Sequence, residues 1–368
     1  MKILITGSNG FLGKNLSVRI QEISKDAIID TFDRGDSIGS IEKKVIGSNV
    51  IFHLAGENRP KEVSLFEDVN VGLTKYICEV IKKNNLRLSL VYASSVQSSF
   101  DNPYGKSKRS AEKLIEDLKN NSESNVFIYK LPGVFGKWAK PNYNSVVATF
   151  CHNISRQIPI QMDCADNKLS LVYVDDVIGD FLKLLDNQGS RTEVYQDVSP
   201  IYEVTVGGLA RILNGFYSAR KSLILDGVGR GLERALYSTY LSYMPIRDAE
   251  YSLNVKKDVR GSFVELFKSN TSGQCSVFTL GPGLIRGNHY HHTKTEKFYI
   301  FSGRCKFTFR NIISNEVKEL YVSDSDHKMV ETIPGWVHSV ENIGNDLLLV
   351  VLWANELFDP LAPDTIVG

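Results

Sequence analysis

Lys2-Ile-Leu-Ile-Thr-Gly-Ser-Asn-Gly-Phe-Leu-Gly13 is the stretch that decides the fold of the first part of the chain. An apolar run followed by three glycines at three-residue intervals predicts a strand, a tight phosphate-binding turn and a helix. Gly7 permits the turn, Gly10 lets a pyrophosphate approach the backbone, and Gly13 allows close packing of helix on strand. The stretch therefore predicts a dinucleotide site at a helix N-terminus, with Phe11 also among the cofactor contacts.

Alternating strand-like and helix-like segments follow this turn. Further apolar runs with strand character lie at residues 27–32, 49–54, 88–95 and 126–130. Helical segments are predicted from Val69 to Lys83 and from Pro103. This alternation predicts a doubly wound parallel sheet of the Rossmann type, in which ligands bind beyond the carboxyl ends of the strands. Four motif residues fall at such ends and could share one crevice: Gly7, Arg34, Gly56 and Ser95.

The second predicted strand ends at the pair Asp33-Arg34. An acid at this position usually binds the ribose hydroxyls of NAD, whereas an arginine can pair with the 2′-phosphate of NADP. Because both residues are present, both cofactors are conceivable. We expect NADP(H) bound through Arg34, with Asp33 as a further contact; a solvated loop pair is the alternative.

The segment Asp101-Asn-Pro-Tyr-Gly-Lys-Ser-Lys108 carries a candidate catalytic pair. Pro103 suits the first turn of a helix, because its missing N–H costs nothing there. Tyr104 and Lys108 are then four residues apart and lie on one helix face. A neighbouring ammonium stabilises a phenolate, so we expect a lowered pKa for Tyr104 and a role in proton transfer.

Taken together, the motifs of residues 1–240 resemble the extended short-chain dehydrogenases/reductases that modify nucleotide sugars. Besides the segments above, the matching motifs are His53-Leu-Ala-Gly56, Asn70-Val-Gly-Leu-Thr74, Leu131-Pro-Gly-Val-Phe-Gly136 and Val172-Tyr-Val-Asp-Asp176. The resemblance implies that Ser95, or the neighbouring Ser94, hydrogen-bonds the substrate oxygen. It also implies that Tyr104 passes the proton and that Lys108 binds the nicotinamide ribose and tunes Tyr104. Cofactor contacts are further implied for Leu54 and Ala55.

Departures from the family pattern limit which of the family's reactions we expect this chain to catalyse. Dehydratases of this family place an Asp-Glu pair after the catalytic hydroxyl residue, whereas Val96-Gln97 follows Ser95 here. A 4-epimerase would retain NAD through an acid, and Arg34 weakens that interpretation. The remaining expectation is net reduction of a keto-sugar by dissociable NADPH.

A polar loop, Lys137-Trp-Ala-Lys-Pro-Asn-Tyr-Asn-Ser145, follows the last core strand. Its cations, aromatics and amides suit a nucleotide diphosphate and a sugar, with Asn142 and Ser145 as candidate substrate contacts. The alternative is an ordinary polar loop ahead of a helix that begins near Ser145.

The last third of the chain has a different pattern, in which short alternating strands predict an all-β barrel or jelly roll. We expect a first domain at residues 1–243, a linker at 244–254 and a second domain at 255–368. On a strand, His289 and His291 point to one face, because side chains alternate with a period of two. Together with Glu296 and His338 they could form a site for a divalent transition ion.

This second pattern resembles the two metal motifs of cupins. Gly283, His289, His291, Glu296 and Gly303 fit the first motif without a gap, and His338 and Asn342 fit the second. Pro334-Gly335 departs from the second motif, where one residue usually separates proline and glycine. Asp258-Val-Arg-Gly-Ser-Phe263 is similar to the entry of cupins that epimerise nucleotide keto-sugars.

Over its whole length, the chain resembles bifunctional enzymes of capsule and O-antigen synthesis that fuse an extended short-chain reductase to a cupin. The resemblance implies that the cupin epimerises carbon 3 of a UDP-2-acetamido-2,6-dideoxy-4-hexulose and that the reductase then reduces carbon 4 with NADPH. The product would be UDP-2-acetamido-2,6-dideoxy-L-talose, on the way to UDP-N-acetyl-L-fucosamine. It also implies zinc and a homodimer formed through the cupin.

Several alternatives stay open from the sequence. The protein could be a single-activity 4-ketoreductase whose cupin only binds sugar or dimerises, or a silent sugar-binding scaffold. The intact Ser95, Tyr104 and Lys108 argue against the scaffold. The base of the epimerisation is also open, with three candidates chosen from their positions: His292, Lys294 and Asp359.

The composition of the chain excludes several classes of protein. The 368 residues carry 43 basic and 42 acidic side chains, a net charge of +1, which argues against a nucleic-acid surface. Five scattered cysteines without a Cys-x-x-Cys pair predict reduced thiols in a cytoplasmic protein. No apolar run is long enough for a membrane span, so no membrane partner is expected.

Overall fold

A computed structural model describes residues 1–60, 62–186 and 193–368. Its contacts divide the chain into two compact units. The first comprises Met1–Leu213 with Arg230–Pro245, and the second comprises Asn214–Gly229 with Ile246–Gly368. The grouping of Asn214–Gly229 with the second unit is a feature that the sequence did not predict.

The first part of the chain alternates strands and helices, as the sequence predicted. The strands are β1 (Lys2–Thr6), β2 (Ile28–Phe32), β3 (Val50–His53), β4 (Ser89–Ser95), β5 (Asn125–Leu131), β6 (Gly133–Phe135), β7 (Lys168–Tyr173), β8 (Tyr195–Gln196) and β9 (Tyr202–Thr205). The helices are α1 (Phe11–Ile23), α2 (Ile38–Ile46), α3 (Leu73–Lys83), α4 (Pro103–Asn120), α5 (Val146–Ser155), α6 (Val174–Asp186), α7 (Val206–Ser222) and α8 (Gly231–Ser242). The helix predicted from Val69 begins as a π-helical turn at Phe66–Gly72, and α3 continues it.

Six of these strands form a parallel sheet in the order β2-β1-β3-β4-β5-β8. Its central strands are buried on both faces, with Leu4, Ile51 and Leu90 fully enclosed, because helices cover such a sheet on each side. Thr6 is in register with both Phe32 and His53, so the carboxyl ends of three strands meet at one edge. The predicted Rossmann-type sheet is therefore confirmed.

The second unit contains antiparallel strands. They are β10 (Val255–Asp258), β11 (Gly261–Ser269), β12 (Gly273–Leu280), β13 (Ile285–Tyr290), β14 (Glu296–Ser302), β15 (Arg304–Asn311), β16 (Val317–Ser323), β17 (Met329–Glu331), β18 (Trp336–Asn342), β19 (Leu348–Ala354) and β20 (Ile366–Val367). They form two sheets, in the orders β10-β11-β12-β19-β14-β17 and β16-β15-β18-β13-β20. Side chains from both sheets, among them Phe278, Phe298 and Phe307, share one apolar core. This is the jelly-roll architecture that the sequence predicted.

Two further observations concern the chain as a whole. Among the described residues, no helix combines the length and the apolar character needed to cross a bilayer. All five cysteines are free thiols, and three of them, Cys78, Cys151 and Cys305, are buried.

Candidate functional sites

The glycine turn after β1 has a backbone geometry that other residues could not adopt. Gly7 has a left-handed φ of 72°, and a Cβ there would lie 2.8 Å from the Ala55 backbone. A Cβ on Gly13 would lie 2.2 Å from the Gly7 carbonyl oxygen. Because both positions lack a side chain, α1 starts close to the sheet edge at Phe11, where its first N–H groups can face an anion.

Asp33 and Arg34, which directly follow β2, have different partners. The Asp33 carboxylate accepts hydrogen bonds from Ser8 Oγ at 2.5 Å and from the Asn9 backbone N–H at 2.9 Å, so it is tied to the glycine turn. Arg34 donates to the buried carboxylate of Glu57, while 86% of its own side chain remains exposed. The guanidinium is thus anchored at one end and accessible to a phosphate at the other.

Glu57 is a residue that the sequence analysis missed. It is 6% exposed, and its backbone N–H donates to Asn70 Oδ1 at 2.7 Å. Its carboxylate also accepts a hydrogen bond from the Tyr143 hydroxyl at 3.2 Å. The sequence signal that could have identified Glu57 is its position directly after the Gly56 motif. A carboxylate buried there needs hydrogen-bond or ionic partners such as these.

The candidate catalytic residues come together beyond β4. Asn102 caps α4 by accepting the Gly105 N–H at 2.8 Å, and this fixes the start of the helix that carries Tyr104 and Lys108. Ser95, at the end of β4, is close enough to the Tyr104 hydroxyl to act on its pKa. The Lys108 ammonium donates to the Ala93 carbonyl oxygen at 2.8 Å.

The pKa values of this pair are set mainly by burial. Burial raises the pKa of Tyr104 above its ordinary value, and the nearby Ser95 hydroxyl offsets only part of the effect. The lowered pKa expected for Tyr104 is therefore wrong for this structure. Burial also lowers the pKa of Lys108 to about 8, against the opposing influence of Glu112.

The two serine candidates face different surroundings. Ser94 is buried, and its hydroxyl donates to the Glu112 carboxylate. Ser95 ends β4 half-buried, and its hydroxyl accepts the Gln97 N–H at 3.2 Å. Because Ser94 is buried and bonded to Glu112, whereas Ser95 is partly exposed and acts on the pKa of Tyr104, the structure favours Ser95 over Ser94 as the substrate contact.

Some side chains of the polar loop before α5 have structural roles. Ser145 Oγ accepts the Ala148 N–H at 3.2 Å and so caps α5. Asn142 is exposed with a left-handed φ of 53°, and its backbone N–H donates to Thr149 Oγ1 at 2.9 Å. The Asn142 side chain is thus available to a ligand, whereas the Ser145 hydroxyl already serves the helix. Tyr143 of the same loop reaches Glu57.

The second unit brings the four proposed metal ligands into one group. His289 on β13 is the direct register partner of His338 on β18, and His291 follows β13 by one residue. Glu296 begins β14 in the other sheet. One ligand atom from each residue lies within 4.8 Å of the others, and three of the four side chains are buried.

This donor set fits a divalent metal. The Nε2 atoms of His291 and His338 are buried and have no hydrogen-bond partner, although they approach Glu296 Oε2 at 3.4 and 3.3 Å. Unpartnered buried nitrogens facing a carboxylate are what metal ligation would satisfy. His291 Nδ1 contacts the Asp364 carbonyl oxygen, which orients the ring.

The protonation states favour ligation as well. Burial, reinforced by His338, lowers the pKa of His289 to about 4, so this imidazole is neutral at pH 7. Burial by itself would raise the pKa of Glu296, but its contacts with His291 and His338 and the charge of Lys294 hold it below its ordinary value. The site thus presents a carboxylate and a neutral imidazole, the forms that bind a transition ion.

A cavity of about 480 Å³ opens beside this group. Its lining includes His289, Glu296 and His338, aromatic rings such as Phe278 and Phe307, and the cations Lys256, Lys257, Arg260 and Arg286. Of the three residues considered as the epimerisation base, Lys294 lines the cavity, whereas His292 and Asp359 are not among its lining residues. Cations around an aromatic-lined cavity suit an anionic ligand with a sugar portion.

Fold and sites together define a protein with a Rossmann-type domain of the short-chain dehydrogenase kind and a jelly-roll domain with a metal-ligand group. The model of the NAD dependent epimerase/dehydratase family matches residues 3–196. The model of the polysaccharide biosynthesis C-terminal domain matches residues 256–366. The chain therefore belongs to the NAD-dependent epimerase/dehydratase family, in the two-domain, CapF-type group.

Individual relatives agree with this assignment. The chain is 46% identical to a UDP-2-acetamido-2,6-beta-L-arabino-hexul-4-ose reductase of Pseudomonas aeruginosa, over 99% of this chain and 98% of the relative. The crystal structure of the capsular polysaccharide assembling protein CapF from Staphylococcus aureus matches with a TM-score of 0.91 and 37% identity, over 99% of both chains. A UDP-glucuronic acid 4-epimerase from Bacillus cereus, with NAD, shares the fold at 16% identity and a TM-score of 0.56, over 66% of this chain and 96% of that chain.

Proposed function

We propose that the first domain, residues 1–243, is an NADPH-dependent 4-ketoreductase of a UDP-sugar. The observation that carries the proposal is that Ser95 ends β4 at the carboxyl edge of the parallel sheet, close enough to Tyr104 to act on its pKa, and that Tyr104 and Lys108 share α4. The Pseudomonas aeruginosa relative, named as a reductase of a UDP-linked hexul-4-ose, supports the same substrate class. Val96-Gln97 after Ser95 also lacks the acid pair of a dehydratase.

Each residue has a defined task in this proposal. Ser95 and Tyr104 hydrogen-bond the carbonyl oxygen at carbon 4, and Tyr104 then gives it a proton. The raised pKa of Tyr104 keeps the hydroxyl protonated at neutral pH, as a proton donor requires. Lys108 holds the nicotinamide ribose, and NADPH when bound supplies the hydride for carbon 4. Arg34, exposed at the end of β2, favours NADPH through its 2′-phosphate.

For the second domain, residues 255–368, we propose epimerisation at carbon 3 of the same UDP-2-acetamido-2,6-dideoxy-4-hexulose. His289, His291, Glu296 and His338 would hold the metal, zinc in this proposal, which when bound acts as a Lewis acid for an oxygen of the substrate. A 4-keto group acidifies the hydrogen on carbon 3, so proton exchange there is the expected chemistry. The cavity beside these residues supports the proposal, since its cations suit a diphosphate. With both activities, the product is UDP-2-acetamido-2,6-dideoxy-L-talose, a precursor of UDP-N-acetyl-L-fucosamine.

One experiment tests both activities. Proton NMR of the UDP-4-keto-sugar with the enzyme in heavy water, first without NADPH, should show loss of the carbon 3 proton signal. Addition of NADPH should then give the reduced sugar. Reduction without any exchange at carbon 3 would leave a single-activity ketoreductase whose second domain binds sugar or dimerises. If the experiment shows neither exchange at carbon 3 nor NADPH consumption, the proposal is contradicted for both domains.

We further propose a homodimer formed through the second domain. Its surface exposes several large apolar side chains, including Phe301 at 63%, Ile313 at 89% and Ile333 at 55%. A contact between two copies of the chain would remove such side chains from water. Light scattering of the full chain should give twice the chain mass of 41.2 kDa, and a monomer at micromolar concentration would contradict the proposal.

A further inference from the structure

The carboxylate of Glu296 has its two oxygens directed to different partners. Oε2 faces the Nε2 atoms of His291 and His338 at 3.4 and 3.3 Å. Oε1 instead lies 3.1 Å from the ammonium of Lys294, whose side chain is only 10% exposed. One oxygen is therefore directed to the imidazoles and the other to a buried cation.

The backbone on both sides holds this pair in place. The Lys294 N–H donates to the Asp364 carboxylate at 2.8 Å, and the same carboxylate accepts the N–H groups of His292 and Thr293. The Glu296 N–H donates to Thr332 Oγ1 at 2.8 Å. Because the backbone of both residues is held and their side chains are only 10% and 7% exposed, the contact between Lys294 and Glu296 is not a flexible surface ion pair.

We propose that Lys294 is a positioning residue that restricts Glu296 to ligation through Oε2. An ammonium on Oε1 competes with any metal for that oxygen, so Glu296 would contribute one bond instead of two. One coordination position of a bound metal would then stay open on the side of the cavity, which both residues line. This inference rests on the metal site of the proposed function.

In this proposal, the contact of Lys294 with Glu296 lowers the affinity of the site for the metal and keeps one coordination position open. A cation so close to a bound dication repels it, and the repulsion is weakly screened in a buried site. A structural salt bridge that only secured the fold would have no such effect on the metal. Removal of the ammonium should therefore strengthen metal binding and, at the same time, close the open position.

The test uses the full chain loaded with Co²⁺, whose visible absorption weakens as the coordination number rises from four to five. We expect intense absorption in the parent protein and a clear spectral change on addition of azide, which fills the open position. In Lys294→Met, the absorption should weaken, the azide response should disappear, and Co²⁺ should bind about tenfold more tightly. Lys294→Arg, which keeps both charge and donor, should behave like the parent.

A matched control is Lys297→Met on β14, because Lys297 pairs with exposed Glu331 outside the metal group. This variant should leave spectrum, azide response and affinity unchanged. Circular dichroism checks that Lys294→Met is folded, and Lys294→Ala replaces it if it is not. Parent-like absorption and azide response in the folded variant would overturn the positioning role alone. A parent protein that binds no Co²⁺ at this group would overturn the proposed metal site as well.

Discussion

The buried ammonium of Lys108 leads to a prediction about the pH dependence of reduction. Its pKa is lowered to about 8, because burial disfavours the charged form more than Glu112 favours it. Tyr104 has a raised pKa, so it remains a protonated donor through the same range. The loss of activity at alkaline pH should therefore follow Lys108, which holds the cofactor ribose only while it is charged.

The size of the effect follows from the titration. Above the pKa, the charged fraction of Lys108 falls about tenfold for each pH unit, so kcat/KM for NADPH should fall about tenfold between pH 8.5 and 9.5. The assay is NADPH oxidation at 340 nm with a saturating UDP-4-keto-sugar. The stability of the fold should change with pH in the opposite direction to the activity. Between about pH 8 and 10.5 the unfolded chain binds more protons at this lysine than the folded chain does, so the free energy of unfolding should rise with pH.

Two variants identify the group responsible. Lys108→Arg keeps its charge throughout this range, so the alkaline fall should disappear even if the rate itself is lower. Lys106→Met, on the exposed face of the same helix, should keep the parent profile. A parent profile that stays flat to pH 10, or an alkaline fall that persists in Lys108→Arg, would refute the assignment to Lys108.

Three further predictions concern the proton donor, cofactor choice and the second domain. Tyr104→Phe should reduce NADPH oxidation by at least about a hundredfold, the usual scale of proton-transfer catalysis, while fluorescence titration still shows NADPH binding; substantial turnover would place the donor elsewhere. Arg34→Ala should raise the Kd for NADPH much more than that for NADH, whereas equal losses would return attention to Asp33. His289→Ala should slow deuterium incorporation at carbon 3 by orders of magnitude, since ~1.4 kcal/mol corresponds to about tenfold, but should leave reduction of a pre-epimerised ketone intact. Parent-rate exchange in that folded variant would mean that the metal group is not catalytic.

The sequence predicted the fold well, because both domains have strong local patterns. The apolar run from Lys2 and the glycines after it predicted both β1 and the start of α1, and the alternating segments predicted a parallel sheet, although not the order of its strands. Histidines at residues 289, 291 and 338 predicted a group that the structure assembles with Glu296 from the other sheet. The spacing of two residues predicted that His289 and His291 share a face. Glu296 and His338 lie on β14 and β18 and were included because of their residue types and motif positions.

What the sequence could not predict depends on burial and on long-range contacts. The spacing of Tyr104 and Lys108 correctly placed both residues on one helix, but it did not predict the desolvation that reverses the expected pKa shift of Tyr104. Glu57 was missed, because its partners Arg34 and Tyr143 are 23 and 86 residues away along the chain. The role of Ser145 could not be decided from the sequence either, because a serine before a helix can serve as a helix cap or as a ligand contact.

The chemistry of one substrate also fixes the order of the two proposed reactions. Proton removal at carbon 3 is feasible only while carbon 4 carries a carbonyl, because that group acidifies the neighbouring hydrogen. Reduction by the residues around Tyr104 removes the carbonyl, so epimerisation after reduction is chemically blocked. The second domain must therefore act first, and the reductase makes the new configuration permanent. A time course without NADPH should then reach an equilibrium mixture of the two ketones, and NADPH should draw both into a single reduced sugar; two reduced sugars would mean that the reductase does not select the epimerised ketone.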